Sequence, residues 1–368
     1  MKRLAAAFVA LAAALGLAGT AQAAVESVAL SVDATPISGK FYREAKKPAN
    51  VEISARVDVP PGTPTVTPTK NIRVFFPKSV AMVPNNKKTP VCTDAKLSQT
   101  SQLSSPSSVM AACGDSVVGT GRAVLYAARN ANAVLDSPIL VAFNAGVANN
   151  GNPKLKIWGF AFQTNYGILM ETQLEKSGLM NIHVPPLSFD SATKDFQLRF
   201  PGPLLDQPES GVKTQGKDPN YVRVACPAGS LTSRAIFDLQ WISIDTGQPM
   251  GPEESVETAP YTDNCGQVLA GKAKLGGVKV KGPNAVRNGA KGTFRVTVKN
   301  NGTATAKNVV VKTNRGGKAK AGKIAPGASK TVRVKVKIKG KKGRKVAVRF
   351  TAKSGKVKAG AVKRVRVK

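Results

Sequence analysis

The chain has 368 residues, enough for two or three domains with buried cores; 5% aromatics beside 34 Gly and 24 Pro argue against a helical bundle and for short strands joined by turns. Its formal net charge of +34 is uneven, because Gly266 to Lys368 holds 23 Lys and 8 Arg without one Asp or Glu, while Ala24 to Cys265 carries a net +1. That contrast sets a domain boundary near Cys265 and gives the C-terminal part a surface suited to polyanions.

The chain starts with Met1-Lys2-Arg3, an apolar run from Leu4 to Leu17 and the small-x-small step Ala21-Gln22-Ala23, the pattern of a cleaved secretory signal, with an uncleaved anchor as the alternative. The run is short for a stable membrane span. No Cys stands directly after the cleavage step, so a lipoprotein anchor is not expected, and the C-terminus ends in basic strand rather than an apolar tail. The expectation is therefore a secreted or wall-associated protein without a transmembrane anchor after cleavage.

Cys92, Cys113, Cys226 and Cys265 are an even number, as suits an oxidising compartment. Three pairings are open. Cys92 with Cys113 and Cys226 with Cys265 is preferred because near neighbours close small loops, each bond contributing about 3 kcal/mol if unstrained. A zinc site is disfavoured, since neither C-x-x-C spacing nor a nearby His is present.

Along residues 24–265, alternating or apolar runs recur at Val28 to Val32, Val51 to Val59, Ile72 to Phe76, Val117 to Leu125 and Ile139 to Phe143. They continue at Leu155 to Phe162, Ile182 to Val184, Phe196 to Phe200, Tyr221 to Val224 and Ala235 to Ile244, with Pro- and Gly-rich turns between. Strands without helical intervals predict an antiparallel β-sandwich. One insert differs. Ser105 as N-cap, Pro106 at the first position and Gly114 after Cys113 predict a two-turn helix, and Thr93 to Leu97 suggests another turn before it. A structural clip is the favoured role for this pair.

Several stretches of this part resemble a group of uncharacterised secreted β-rich proteins of high-GC Gram-positive bacteria. They are Phe75-Phe76-Pro77, Val91-Cys92 to Ala112-Cys113-Gly114, Val118-Gly119-Thr120-Gly121-Arg122-Ala123, Val184-Pro185-Pro186-Leu187 and Tyr221 to Cys226. The resemblance implies architecture and location, with no activity attached.

In the C-terminal part Phe294, Val296 and Val298 alternate with Arg295, Thr297 and Lys299 before Asn300-Asn301-Gly302, a turn that tolerates positive φ. Val309-Val310-Val311 returns, Ala325-Pro326-Gly327 turns into Val332 to Ile338, Gly340 to Gly343 turns into Val346, Val348 and Phe350, and Val362, Val365 and Val367 close the chain. From about Leu275 to Lys368 this pattern resembles the CARDB-like class of immunoglobulin-type modules, whose name refers to cell adhesion. The resemblance implies a non-catalytic interaction or spacer module. The heavy lysine load departs from the usual composition of that class. An all-β protein of two sandwiches follows, residues 24–265 and 275–368 joined by a 266–274 linker.

Thr331 to Lys339 alternates apolar and basic residues, placing a lysine array on one side of a sheet. The expected polyanion contacts are Arg333, Lys335, Lys337, Lys339, Lys341, Lys342, Arg344, Lys345, Lys363, Arg364 and Arg366. Candidate partners are anionic cell-envelope polymers, acidic glycans, anionic headgroups and non-specific extracellular DNA; Lys over Arg favours diffuse contact, and the inward register of Phe294 and Phe350 leaves no stacking platform. A solubility role is the competing account. Glu253, Glu254, Glu257 and Asp263 offer an internal partner for the same array.

No cofactor or metal is expected. His183 is the chain's one histidine and reads as a strand residue. Ser191-Ala192-Thr193-Lys194 matches S-x-x-K, and Thr262-Asp263-Asn264 and Lys213-Thr214-Gln215-Gly216 faintly echo its companion motifs, but strand alternation follows where a helix must. Gly114 to Gly119 is one residue off the spacing of a nucleophile elbow and lacks the helix that should follow, and Glu171 with Glu175 form at most a carboxylate pair. The expectation is a non-enzymatic binding or structural protein of the bacterial exterior, with an extracellular hydrolase as the alternative.

Overall fold

The computed structural model describes residues 26–97, 105–136, 138–185, 191–201 and 218–368. The signal sequence, Leu187 and the Lys213 to Gly216 motif lie outside them.

The first domain opens with β1 (Ser27–Pro36), β2 (Lys47–Asp58), β3 (Thr69–Phe75) and β4 (Val80–Met82), then helix α1 (Pro106–Cys113). It continues through β5 (Val117–Tyr126), β6 (Val134–Leu135), β7 (Ile139–Val147), β8 (Pro153–Ala161), β9 (Tyr166–Gln173) and β10 (Leu179–His183). β11 (Ala192–Phe200), β12 (Val222–Val224), β13 (Ser230–Leu239), β14 (Glu254–Glu257) and β15 (Tyr261–Asn264) complete it. A ten-stranded sheet runs β4-β12-β2-β11-β5-β7-β8-β9, with β1 on β2 and β6 on β5, and faces a sheet ordered β10-β3-β13-β14 with β15 on β13. Every apolar run expected as a strand overlaps one. β9 escaped because Gly167 and the polar Glu171, Thr172 and Gln173 interrupt the alternation, and β13 begins at Ser230 and stops at Leu239, leaving Ile244 exposed beyond it.

Alternation is clean in β2, where Val51, Ile53, Ala55 and Val57 point into the core. It disappears in β7 and β8, which are buried on both faces. Their outer side is covered by α1 and the Cys92 turn, which pack Leu97, Val109 and Cys113 onto Val141, Phe143 and Trp158. A strand covered on both sides reads as a continuous apolar run. Ser105 caps α1 by accepting from the Ser108 N–H. Thr93 to Leu97 closes only one turn, with the Lys96 and Leu97 N–H groups donating to the Thr93 carbonyl. The disulfides are Cys92–Cys113 and Cys226–Cys265, with Cα separations of 5.5 and 6.6 Å. Gly121 is required by space: a Cβ there would lie 1.7 Å from the Gln197 carbonyl oxygen on the neighbouring strand.

The second domain comprises β16 (Leu275–Lys281), β17 (Ala285–Val286), β18 (Lys291–Asn300), β19 (Ala306–Thr313), β20 (Lys318–Ile324), β21 (Ser329–Lys337), β22 (Lys345–Ser354) and β23 (Val357–Val367). One sheet is β16-β18-β21; the other is β17-β23-β22-β19-β20. Together they form an immunoglobulin-like sandwich around Phe294 and Phe350, whose ring centroids lie 5.3 Å apart. Buried Asn300 donates to the Ala304 and Ile324 carbonyls at 2.8 and 2.9 Å and accepts from Gly302 and Lys274 N–H groups at 3.0 and 3.2 Å. Gly302 is selected by close approach and not by positive φ, for a Cβ would sit 2.3 Å from the Lys272 carbonyl oxygen. Of the valines that close the chain, Val365 and Val367 are buried and Val362 is 56% exposed.

The linker is tied down at both ends. Leu269 exchanges backbone hydrogen bonds with Phe41 and Arg43, while Lys272 and Lys274 pair with Thr303 and Asn301.

Candidate functional site

Two features stand apart from ordinary packing: the basic outer faces of the second sandwich, and an apolar cavity inside the first.

Strict alternation in β18 and β21 sends Phe294, Val296, Val334 and Val336 inward and leaves Lys291, Arg295, Arg333, Lys335 and Lys337 in solvent. Antiparallel register then sets Arg295 opposite Arg333, Lys291 opposite Lys337, and Lys281 opposite Arg295. The outer face of the five-stranded sheet repeats this, with Lys345 opposite Arg366, Lys353 opposite Lys358 and Lys312 opposite Lys318. Like charges directly opposite destabilise a sheet by roughly 0.2–1 kcal/mol each. The domain has no Asp or Glu with which to compensate them.

The residues expected to form one array thus fall on two. Arg333, Lys335 and Lys337 belong to the three-stranded sheet, whereas Lys345, Arg364 and Arg366 lie on the outer face of the other. Lys339, Lys341, Lys342 and Arg344 are exposed in and around the turn between β21 and β22. Lys363 departs from both, donating to the Asn284 side chain at 2.7 Å. Lys279, Lys281, Lys312, Lys318, Lys320, Arg349, Lys353 and Lys358 join these faces. Their neighbourhood becomes visible only through cross-strand register, which a sequence period does not contain.

Of the acidic groups expected to offer this array an internal partner, Glu253, Glu257 and Asp263 are engaged within the first domain. Glu253 pairs with Lys70 at 2.6 Å, Glu257 with Arg234 at 2.5 Å, and Asp263 accepts from the Ala34 N–H at 2.9 Å. Burial and the neighbouring Asp33 push the Asp263 carboxyl up, against the opposing Ala34 hydrogen bond. Tyr261, donating to Asp33 at 2.6 Å, is pushed up to about 12 by that hydrogen bond and by desolvation. Glu44 reaches the second domain, its carboxylate accepting from the Thr305 backbone N–H at 2.5 Å.

The cavity, about 250 Å³, lies between the two sheets of the first domain. Leu140, Ile157, Ile168 and Met170 line it from the ten-stranded sheet, and Ile72 and Ile182 from the opposite one. Ala123, Gly159 and Ala161 keep its floor open, while Lys70, His183, Ser191, Thr193 and Gln240 supply its polar groups. His183 shares a 3.1 Å hydrogen bond between Nδ1 and the Asn71 Oδ1. Ser191 and Lys194 sit at the head of strand β11, with the Lys194 ammonium over the Tyr126 ring at 5.5 Å. Glu171 and Glu175 have separate partners, Lys156 at 3.7 Å and the Ser177 hydroxyl at 3.0 Å.

Among the described residues no cluster of three or more His, Cys, Asp or Glu could hold a metal ion, and no helix is long and apolar enough to cross a membrane.

Fold and surface together define a two-domain β-sandwich protein with a basic immunoglobulin-like second domain. Residues 277–359 match the CARDB family profile, so the C-terminal domain is CARDB-like. No curated protein matches the sequence. Among solved structures, red sea bream transglutaminase aligns at 7% identity and a TM-score of 0.22 over 93% of this chain, which spans 31% of that enzyme's length. A Porphyromonas gingivalis W83 protein of unknown function aligns at 10% identity and a TM-score of 0.14, covering 91% of this chain and 97% of its own. At those scores neither alignment bears on function.

Proposed function

We propose that this is a secreted, non-enzymatic binding protein of the bacterial exterior whose CARDB-like domain holds it to anionic envelope polymers or acidic glycans by salt-dependent contact. The observation that carries this reading is the set of like-charged pairs placed directly opposite on both outer faces, with no carboxylate side chain in the domain to relieve them. An array that costs the free domain stability gains it back when a polyanion neutralises it. The closed disulfides support an oxidising compartment, and the signal pattern at Met1 to Ala23 supports export. The excess of Lys over Arg favours polyanions read by charge density, extracellular DNA included, over bidentate recognition of one group.

Co-sedimentation of the full chain with isolated envelopes across a salt series tests this. If six or more anionic groups are contacted, affinity falls by about 10³-fold or more between about 50 and 200 mM salt. Arg295→Gln/Arg333→Gln/Lys335→Gln/Lys337→Gln should weaken binding by removing one face. Adding Arg349→Gln/Lys353→Gln/Arg364→Gln/Arg366→Gln should abolish it. Binding indifferent to salt and to both sets would refute the electrostatic anchor.

The hydrolase alternative takes one specific form: Ser191 and His183 line the same cavity, and Asn71 meets the imidazole. Ester hydrolysis by the wild type that Ser191→Ala and His183→Gln each eliminate would establish it over the non-enzymatic reading.

A further inference from the structure

The cavity of the first domain has no part in the electrostatic anchor. We propose that it is a binding site for a hydrocarbon chain, such as the acyl chain of a fatty acid or membrane lipid, with the polar head left at the rim. The interior is walled by Ile72, Leu140, Ile157, Ile168, Met170 and Ile182, so a sugar, nucleotide or amino acid would strand hydroxyls or charges without partners. An acyl chain loses nothing there. Among the described residues the titratable lining groups are Lys70 and His183, and each has a neighbour of its own, Glu253 and Asn71.

Size agrees with this occupant. A designed cavity of about 150 Å³ lined by Leu, Ile and Phe admits benzene, and the space here, 250 Å³, equals roughly eight water-sized volumes of about 30 Å³. The room comes from small residues on β5 and β8, the two strands that flank β7. Leu140 on β7 faces Gly159 on β8, which faces Ile168 on β9; Ala161 lies two residues further along β8, and Ala123 pairs with Phe196. A Cβ on Gly159 would come within 3.2 Å of the Leu140 Cδ2. The competing occupant is the chain itself, because Pro185 and Ser191 both line the cavity and the five residues between them include Leu187 and Phe189.

The test is titration of the full chain with cis-parinaric acid, a fluorescent fatty acid, followed by displacement with saturated fatty acids of increasing length. Expected are saturable binding at one site and displacer affinity rising about fourfold per methylene, then levelling near eight to ten carbons, where roughly eight water-sized volumes are filled. Decanol should displace as well as decanoate, which separates the cavity from charge attraction to the basic domain. Ala123→Phe should lower affinity about tenfold or more by filling the floor. Thr193→Trp, at a half-buried position, should do the same without entering the core. Phospholipid vesicles carrying a parinaroyl chain form the second arm: transfer to the protein makes the source a membrane lipid, and a response to free acid alone makes it a free fatty acid. The proposal is overturned by no saturable binding, by affinity that never levels, or by indifference to both substitutions. It is overturned equally if binding appears only in Leu187→Ser/Phe189→Ser, which would give the cavity to the chain's own segment.

Discussion

The two sandwiches place their distinctive chemistry on opposite sides of their sheets. In the first domain the outer face of β7 and β8 is roofed by α1 and its disulfide, so the sheet has no wet side there, and its unusual feature is the apolar space within. The second domain is filled by Phe294, Phe350 and valines, and what distinguishes it faces solvent as paired cations on both sides. One architecture thus serves as a container in one half of the chain and as a charged surface in the other. The contrast can be probed by perturbing each half and watching the other.

The largest effect should come from Asn300→Ala. Four backbone groups lose their partner, at roughly 1–3 kcal/mol for each that stays buried, so a loss on the order of 4 kcal/mol is expected. Calorimetry should show the CARDB-like transition falling sharply while that of the first domain stays in place, since no core cluster contains residues of both. A joint shift would mean that the domains unfold as one unit. Cys92→Ser/Cys113→Ser is the mirror experiment. Opening the clip should cost about 3 kcal/mol, all of it in the first domain.

These two substitutions also mark where sequence was informative. Cys92, Ser105, Pro106, Cys113 and Gly114 announced the helical clip because capping and loop closure are local properties. Asn300 and Gly302 announced a turn, but the Asn300 network also reaches Lys274 and Ile324, 26 and 24 residues away in the chain. The basic faces were half visible: period two showed which residues point outward, whereas register decided that Arg295 meets Arg333. The cavity was invisible, for it arises where Ala123 on β5 and Gly159 and Ala161 on β8 come to flank β7 in one sheet, and no single stretch records that. His183 and Ser191 could be noted singly, but not that they border the same space.

Added salt should sharpen the comparison at a smaller scale. Six like-charged cross-strand pairs, at roughly 0.2–1 kcal/mol each, repel in the second domain, and raising salt from about 0.1 to 1 M shortens the screening length from about 10 to 3 Å. The CARDB-like domain should gain about 1–2 kcal/mol, on the order of 5–10 °C, while the nearly neutral first domain moves less. Equal shifts in both would mean that general salting effects dominate and that the cations are too far apart to repel.

The smallest effect isolates Lys156, the one buried Lys among the described residues of the first domain. The Lys156 ammonium is covered by the clip and bonded to Asp94, with Glu171 at 3.7 Å as a second partner. That hydrogen bond, and then the attraction of the same Lys156 charge, holds the Asp94 carboxyl below its ordinary value of 3.8. A lowered carboxyl contributes stability that is complete above its unfolded-state pKa and is lost as pH falls through the folded one. Burial pushes Asp195 and Asp263 the other way, so their contributions are present at low pH and are lost as pH rises from about 3.8 through their raised folded values. The difference between wild type and Asp94→Asn removes those opposing contributions. It should amount to about 1 kcal/mol at neutral pH, small because Asp94 is 85% exposed and Glu171 remains. Denaturant titrations from pH 7 downward should show this gap closing below about pH 4, where Asp94 takes up its proton. A gap that stays constant with pH would mean that Asp94 acts through packing of the clip, leaving Glu171 as the counter-charge for Lys156.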